Sequence, residues 1–557
     1  MNKKRTFFII LFLSMFLLGT FLIFTTPSSI KVRYGLTTET KDGVTISFNV
    51  FEPDNDNKNK KAIIIGHGIM VNKEFMKGYA IELAAAGFVA VPFDFRGHGQ
   101  SSGELNRNLL INDVKAIKAY LASRGDIDIH NLGYIGYSMG GGPGNRIVKD
   151  DEDFKCFIGV GTSLSIDDRD CINRTLNILL IIAKYDQAFD LKSRKRDIAD
   201  RLDIDTNDVQ VNKLYGSFKD GDATKLYLDD NSDHFLTAFD EDFIREARDW
   251  VKNTFPNVDP VDQNLYVNLR VLILILQLVG GIGLFFSILM QMLSQIKKLK
   301  QKEPVELMLE NETIRMMSFK TLAYSLVLAI PGMLIVSPIF MFLPLSVAGF
   351  VLMLLYGQVF GLTVLLWRNY KKANISLFDK LKEPFQGSKE VVIKQILIGL
   401  GLAFILYLII YLSMGLNYIG LVPSMHNKLI WFPVYFLIVF LMYLINGIYF
   451  NDIFQKKLIK NEVTLIKSTL LVFGLQLAYL VTIILLLCLI LGGLFFTQFF
   501  YFAVPLFLLW ASVSTVIYRK TDNILVGAII SSIFFTCLIS TLSPFMTGLD
   551  MIMIFAD

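Results

Sequence analysis

Two regimes of hydrophobic patterning divide this chain. Between residues 30 and 262 short apolar runs alternate with amphipathic and charged stretches. From residue 265 to residue 546 the pattern changes to a series of apolar segments, each about long enough to cross a bilayer core, joined by short basic loops. In the first regime, residues 44–51, 61–66, 89–93, 132–136, 156–160, 178–183 and 225–228 read as strands, and 75–86, 109–122, 140–149 and 241–252 as helices. The first of these strands leaves a tight Asp42-Gly43 turn, the signature of an antiparallel hairpin. Strand and helix then alternate, so the expected class is α/β: a mainly parallel sheet with helices on both faces, followed by an all-α polytopic domain. The boundaries expected are 1–29 for an N-terminal anchor or signal peptide, 30–260 for the α/β domain and 261–557 for a membrane domain of about eight helices. A Pro- and Asp-containing linker at 257–263 separates the last two.

The eight spans fall at about 265–293, 319–343, 345–367, 394–416, 428–450, 464–491, 495–517 and 524–546. A further apolar stretch, 7–24, follows Lys3-Lys4-Arg5 and is about 18 residues long. No small-x-small cleavage pattern precedes Pro27, which favours an uncleaved anchor. With the N-terminus inside, the inside loops carry Lys297, Lys298, Lys300 and Lys302, then Arg368, Lys371 and Lys372, then Lys456, Lys457 and Lys460, then Arg519 and Lys520. The intervening loops 343–345, 417–427 and 492–493 contain no Lys or Arg. Positive charge is retained on the cytoplasmic side, so the pattern predicts a cytoplasmic N-terminus, with the α/β domain and the C-terminus extracytoplasmic.

Composition agrees with this division: 53% of residues are hydrophobic and the mean hydropathy is +0.48. The formal net charge of +4 is small, and the basic residues of the second half sit between apolar spans. They orient helices, and no nucleic-acid partner is expected. Four cysteines form no C-x-x-C and the five histidines show no ligand spacing, so no metal and no cofactor is expected. Cys156 and Cys171 form a possible disulfide in the outside domain, with buried free thiols the equal alternative, and Asn173-Arg174-Thr175 fits a glycosylation sequon.

Candidate chemistry lies in one turn. Gly136-Tyr137-Ser138-Met139-Gly140 follows a strand and opens a helix, the context in which G-x-S-x-G presents a nucleophilic serine on a tight, strained bend. A hydroxyl needs a base within hydrogen-bond reach, and the base needs an acceptor to fix its tautomer. His67 and His98 lie upstream, His130 sits in a polar turn before the strand at 132–136, and His426 falls between spans. His234, directly after the last strand, is the expected base. Asp186, at the end of strand 178–183, is the expected acid, with Asp190 as the alternative and Asp233 as a solvated loop residue.

The order Ser138, Asp186, His234 over about residues 35–255 resembles the α/β-hydrolase superfamily, which includes serine esterases, lipases and peptidases. His67-Gly68-Ile69-Met70 resembles that family's H-G segment, which implies that the backbone N–H of Ile69 or Met70, with that of Met139, forms the oxyanion hole. Residues 94–101 resemble its D-x-R-G-H-G-x-S loop, in which Arg96 and His98 serve as loop architecture. Only about 17 residues separate strands 156–160 and 178–183, too few for a helical lid; the polar insertion 190–224 is the expected border of the pocket mouth.

The function this implies is a membrane-anchored extracytoplasmic serine hydrolase cleaving an ester or amide through an acyl-enzyme, with esterase or lipase favoured over peptidase. The expected partners are a small-molecule, lipid or peptide substrate and membrane lipid, with protein partners left open. The alternatives are a peptidase of the same fold, an accessory hydrolase of a transporter, and an inactive binding or sensor protein. Transport is disfavoured because the predicted spans hold essentially no ionisable residue beyond Arg270 near a helix edge, with Asn446 the most polar group deep in a span. An intact serine, histidine, acid and glycine set disfavours the inactive protein.

Overall fold

The structure, a computed structural model, describes residues 3–166, 175–299, 312–424 and 426–556. Among them nine strands form one sheet: β1 (Ile30–Glu39), β2 (Thr45–Pro53), β3 (Lys60–Gly66), β4 (Val89–Phe93), β5 (Ile127–Tyr137), β6 (Phe154–Val160), β7 (Asn177–Tyr185), β8 (Leu214–Tyr215) and β9 (Thr224–Asp233). Their spatial order is β1-β2-β4-β3-β5-β6-β7-β9-β8. From β4 across to β9 all neighbours are parallel, while β1, β2 and β8 add antiparallel edges.

Helix α1 (Lys3–Thr25) precedes the sheet; α2 (Lys77–Ala85), α3 (Leu110–Ser123), α4 (Gly141–Asp150), α5 (Leu191–Leu202) and α6 (Glu241–Thr254) cover it. Side chains alternate across a strand, so β3 sends Ile63 and Ile65 to the face under α2 and α6, and Ala62 and Ile64 to the face under α3, α4 and α5. Burial on both faces explains why the central strands are near-continuous Ile, Leu, Val and Phe.

The second half contains α7 (Val267–Lys298), α8 (Ile314–Val327), α9 (Ala329–Phe342), α10 (Ser346–Lys372), α11 (Leu377–Lys382) and α12 (Lys389–Ile410). It continues with α13 (Lys428–Asn446), α14 (Lys456–Lys460), α15 (Leu465–Leu491), α16 (Phe500–Thr521), α17 (Leu525–Leu542) and α18 (Gly548–Ala556). Among the described residues eight helices, α1 included, are long and apolar enough to cross a membrane. The span expected at 319–343 is instead the pair α8 and α9, bent by 52°. Pro331 has no N–H to donate and its ring crowds the carbonyl four residues earlier, at Val327, where α8 ends. Helices α12 and α13 run on as π-helical segments, Tyr411–Ile419 and Gly447–Gln455. The second carries Asp452 beyond the predicted end of its span, buried against Lys380 Nζ at 2.6 Å and Lys456 Nζ at 2.7 Å.

Helix α1 packs along α7 at small residues: a Cβ on Gly280 would come within 2.5 Å of Phe16 N. Arg270, buried near the start of α7, donates from Nη1 to Ile23 O at 2.8 Å, an unpaired carbonyl at the end of α1. Gln277 Nε2 donates to Thr20 Oγ1 at 2.9 Å and to Leu412 O at 3.1 Å, tying α1 to α7 and the extension of α12.

The two halves meet at the carboxyl edge of the sheet. Asn72 Nδ2, in the loop after β3, donates to Ile419 O at 2.7 Å. In the loop after β4, Gly97 O accepts from Phe545 N at 2.7 Å and Gly103 O from Asn427 Nδ2 at 2.7 Å. Beyond β9, Phe235 stacks on Tyr501 with centroids 4.8 Å apart. The ends of the helices, not solvent alone, therefore face the loops that follow the parallel strands.

Candidate active site

Each chemical residue follows directly on a strand. Strand β3 ends at Gly66 before His67, β5 at Tyr137 before Ser138, β7 at Tyr185 before Asp186, and β9 at Asp233 before His234. Parallel packing brings these carboxyl ends together, which is where open α/β sheets gather ligands.

The turn at Ser138 holds the serine at φ +50°, a left-handed conformation that costs a side-chain-bearing residue about 1–2 kcal/mol. Packing maintains it. A Cβ on Gly140 would stand 2.8 Å from the backbone of Gly66, so only glycine lets the elbow close on the end of β3. Thr162 Oγ1 donates to Ser138 O at 2.8 Å, and Tyr134 OH donates to Gly140 O at 2.9 Å.

Ser138 Oγ lies 3.1 Å from His234 Nε2, and His234 Nδ1 lies 2.9 Å from Asp186 Oδ2. Asp186 Oδ1 accepts from the N–H of Ala188 and of Phe189, each at 2.8 Å. With that oxygen occupied, Oδ2 accepts from the imidazole, so Nδ1 carries the proton and Nε2 is left to accept from the serine hydroxyl. The side chains of His234 and Asp186 are 3% and 0% exposed, which keeps water from competing for these bonds. Gly161, at φ +51°, packs against the imidazole: a Cβ there would lie 2.9 Å from Nδ1.

The pocket over Ser138 is lined by Gly68, Ile69 and Met70 from the loop after β3, together with Phe235 and His234. Two histidines shape that loop. Burial pushes His67 down to about 4, so its ring is neutral; Nε2 accepts from Phe95 N at 3.1 Å and Nδ1 donates to Gly68 O at 2.7 Å. His98 Nε2 donates to Ile69 O at 2.8 Å. Arg96 bridges Asp113 and Asp42, at 2.7 Å and 2.6 Å, as loop architecture.

Several expectations need correction. Asp190 does not approach the imidazole but caps α5, accepting from Ser193 N at 2.9 Å. Asp233 is 8% exposed rather than solvated: Oδ1 accepts from Phe235 N and Leu236 N, and Oδ2 from Gln187 Nε2 at 3.0 Å and Tyr501 OH at 2.5 Å. Its carboxylate caps the turn that carries His234. His130 lies inside β5, with Nδ1 at 2.8 Å from Asp153 Oδ1. The insertion 190–224 contributes none of the pocket lining; Phe495, Gln498 and Phe502 of the helical half do. Nothing local in the sequence marks those three residues or Gln187. Cys156 is a buried free thiol, while Cys171 and residues 173–174 of the sequon lie outside the described residues.

Residues 57–205 match the family Hydrolase_4, described as serine aminopeptidase, S33. Among curated proteins, an uncharacterized 31.7 kDa protein of Escherichia coli, from the traX-finO intergenic region, is 28% identical over 121 residues, 21% of this chain and 41% of that protein. An uncharacterized protein of Mycobacterium tuberculosis is 26% identical over 102 residues, 18% of this chain and 36% of its own length. The chain thus spans less than half the length of these relatives. Among solved structures, the Pyrococcus furiosus esterase Pf2001 shares 18% identity at TM-score 0.32, covering 40% of this chain and 93% of its own. The hypothetical protein PA2218 of Pseudomonas aeruginosa shares 14% at TM-score 0.33, covering 42% and 95%.

Proposed function

Since the N-terminal half of the chain is an α/β-hydrolase domain and the remainder a bundle of apolar helices, we propose that the protein is a multi-pass membrane serine hydrolase that cleaves esters through an acyl-enzyme. The reading rests on the hydrogen-bonded series Ser138, His234, Asp186. Ser138 Oγ attacks the ester carbonyl carbon as its proton passes to His234 Nε2. The resulting oxyanion is held by the N–H groups of Met139 and of Ile69 or Met70. The carbon–oxygen bond to the alcohol breaks, and the alcohol leaves with the proton from Nε2. Water then attacks the acyl-serine, returning a proton through Nε2 to Ser138 Oγ and releasing the acid.

Ester is favoured over peptide by the lining. An aminopeptidase must hold a free α-ammonium group, which calls for a carboxylate facing the substrate. None of the described residues that line the pocket over Ser138 is acidic; beyond Ser138, His234 and Tyr137 they are mainly apolar, with Val71 and Phe495 among them and Gln498 the one amide. In detergent, the purified chain should hydrolyse p-nitrophenyl butyrate, and a fluorophosphonate should form an adduct that peptide mass spectrometry places on Ser138. Cleavage of aminoacyl p-nitroanilides without ester turnover would instead establish the peptidase.

The orientation proposed is N-terminus cytoplasmic and hydrolase domain extracytoplasmic. At the helix ends that touch that domain, near Ile419, Asn427 and Phe545, the cations Arg270 and Lys428 are buried on backbone carbonyls, while Lys297, Lys371, Lys456 and Lys520 mark the opposite ends. With Cys171→Ser removing the native thiol outside the described residues, a cysteine replacing Lys371 should react with an impermeant maleimide only after permeabilisation. Labelling in intact cells would overturn the orientation.

A further inference from the structure

A second cavity lies in the helical half beside the site. It is bordered by α10, α15, α16 and α17, has an empty volume of about 700 Å³ with its mouth included, and is lined entirely by apolar side chains, among them Val351, Leu480, Ala503 and Leu538. Met70 and Phe502 line both this cavity and the pocket over Ser138. Met70 belongs to the loop after β3 that faces the nucleophile, so the two spaces adjoin across the Met70 and Phe502 side chains. Along α16 the lining runs from Phe502 to Phe507, about 8 Å at 1.5 Å per residue. Besides Met70 and Phe502, its half-exposed members are Val351 on α10, Phe499 just before α16, and Ala503 and Leu506 on α16, which place the mouth between those two helices. Both helices are apolar enough to lie in a membrane, and with the helical half embedded as proposed above the mouth faces acyl chains.

We infer that Ser138 acts on a long-chain acyl ester drawn from the bilayer, with the acyl chain lodged in the α10–α17 cavity and the ester at the Met70–Phe502 junction. This rests on the hydrolase reading above. A lining without a hydrogen-bonding group suits a hydrocarbon and no polar ligand. Each methylene transferred from water is worth up to about four-fold in binding. The helical half is thereby given a role beyond anchoring: it supplies the acyl subsite.

The test compares p-nitrophenyl dodecanoate with p-nitrophenyl butyrate in mixed micelles, with rates expressed per site labelled by a small fluorophosphonate so that misfolded protein is not counted. The native chain should favour the dodecanoate in kcat/KM by at least ten-fold. Val351→Trp and Ala503→Trp, on different helices, should each lower the long-to-short ratio by at least ten-fold. As a check free of substitutions, a dodecyl fluorophosphonate should label Ser138 of the native chain at least ten-fold faster than an ethyl one. A native ratio near one, or a ratio changed less than two-fold by both substitutions, would overturn the acyl subsite while leaving the hydrolase intact. Turnover of neither ester, with Ser138 unlabelled by either probe, would overturn the hydrolase reading instead.

Discussion

Ser138→Ala is expected to lower kcat for p-nitrophenyl butyrate by about 10⁶-fold and to abolish fluorophosphonate labelling, with KM changed only a few-fold. The hydroxyl is the atom that bonds to the substrate carbon, so its loss removes the covalent route. Hydrogen bonds to the developing oxyanion remain and leave a residue of about 10³–10⁴ over the uncatalysed rate. Alanine meets the same left-handed backbone penalty as serine at φ +50°, and the packing of Gly140 on the end of β3 is untouched, so folding should be preserved. His234→Ala should cost nearly as much, since without Nε2 the hydroxyl keeps its proton; combining the two should add little, because the groups act as one device. Turnover of Ser138→Ala within ten-fold of the native chain would place the nucleophile elsewhere.

The legible part of this protein is the part encoded locally. β4 (Val89–Phe93) falls on the predicted residues, and β3, β6 and β7 are found with slightly longer ends, because buried parallel strands must be apolar along their whole length. The nucleophile turn is legible for the same reason: Gly136 and Gly140 are required by contacts within a few residues of Ser138 and with the adjoining β3. Asp186 and His234 were reached by counting strands, a short-range argument repeated. What the sequence hides is the far side of the pocket. Tyr501 meets Asp233 across 268 residues, and its ring and Phe502 look like any aromatic pair at a helix start. Asp233 shows the same limit: its neighbours suggest a wet loop, and only the helix end folded over it explains a buried carboxylate. Likewise β1, which alternates over Ile30-Lys31-Val32-Arg33-Tyr34 but buries no residue fully, is set by pairing with β2.

Asp186→Asn is expected to lower kcat by about 10⁴-fold at neutral pH, whereas Asp190→Asn should change it no more than a few-fold. The geometry fixes which way the new amide turns. Two backbone donors, from Ala188 and Phe189, hold Oδ1 of the carboxylate, and the amide oxygen takes that place because its NH₂ group cannot accept those bonds. The NH₂ then points at His234 Nδ1, which must become an acceptor. The ring proton moves to Nε2 and faces Ser138 Oγ, so the imidazole presents a donor where the serine needs a base. Loop and pocket shape are retained, and KM and the unfolding midpoint should stay close to native values. Asp190 is spent on Ser193 at the start of α5, and its amide keeps that cap at a cost of about 1 kcal/mol or less of stability. A larger loss of kcat from Asp190→Asn than from Asp186→Asn would mean that the acid supporting His234 in the working enzyme is not the one hydrogen-bonded to it here.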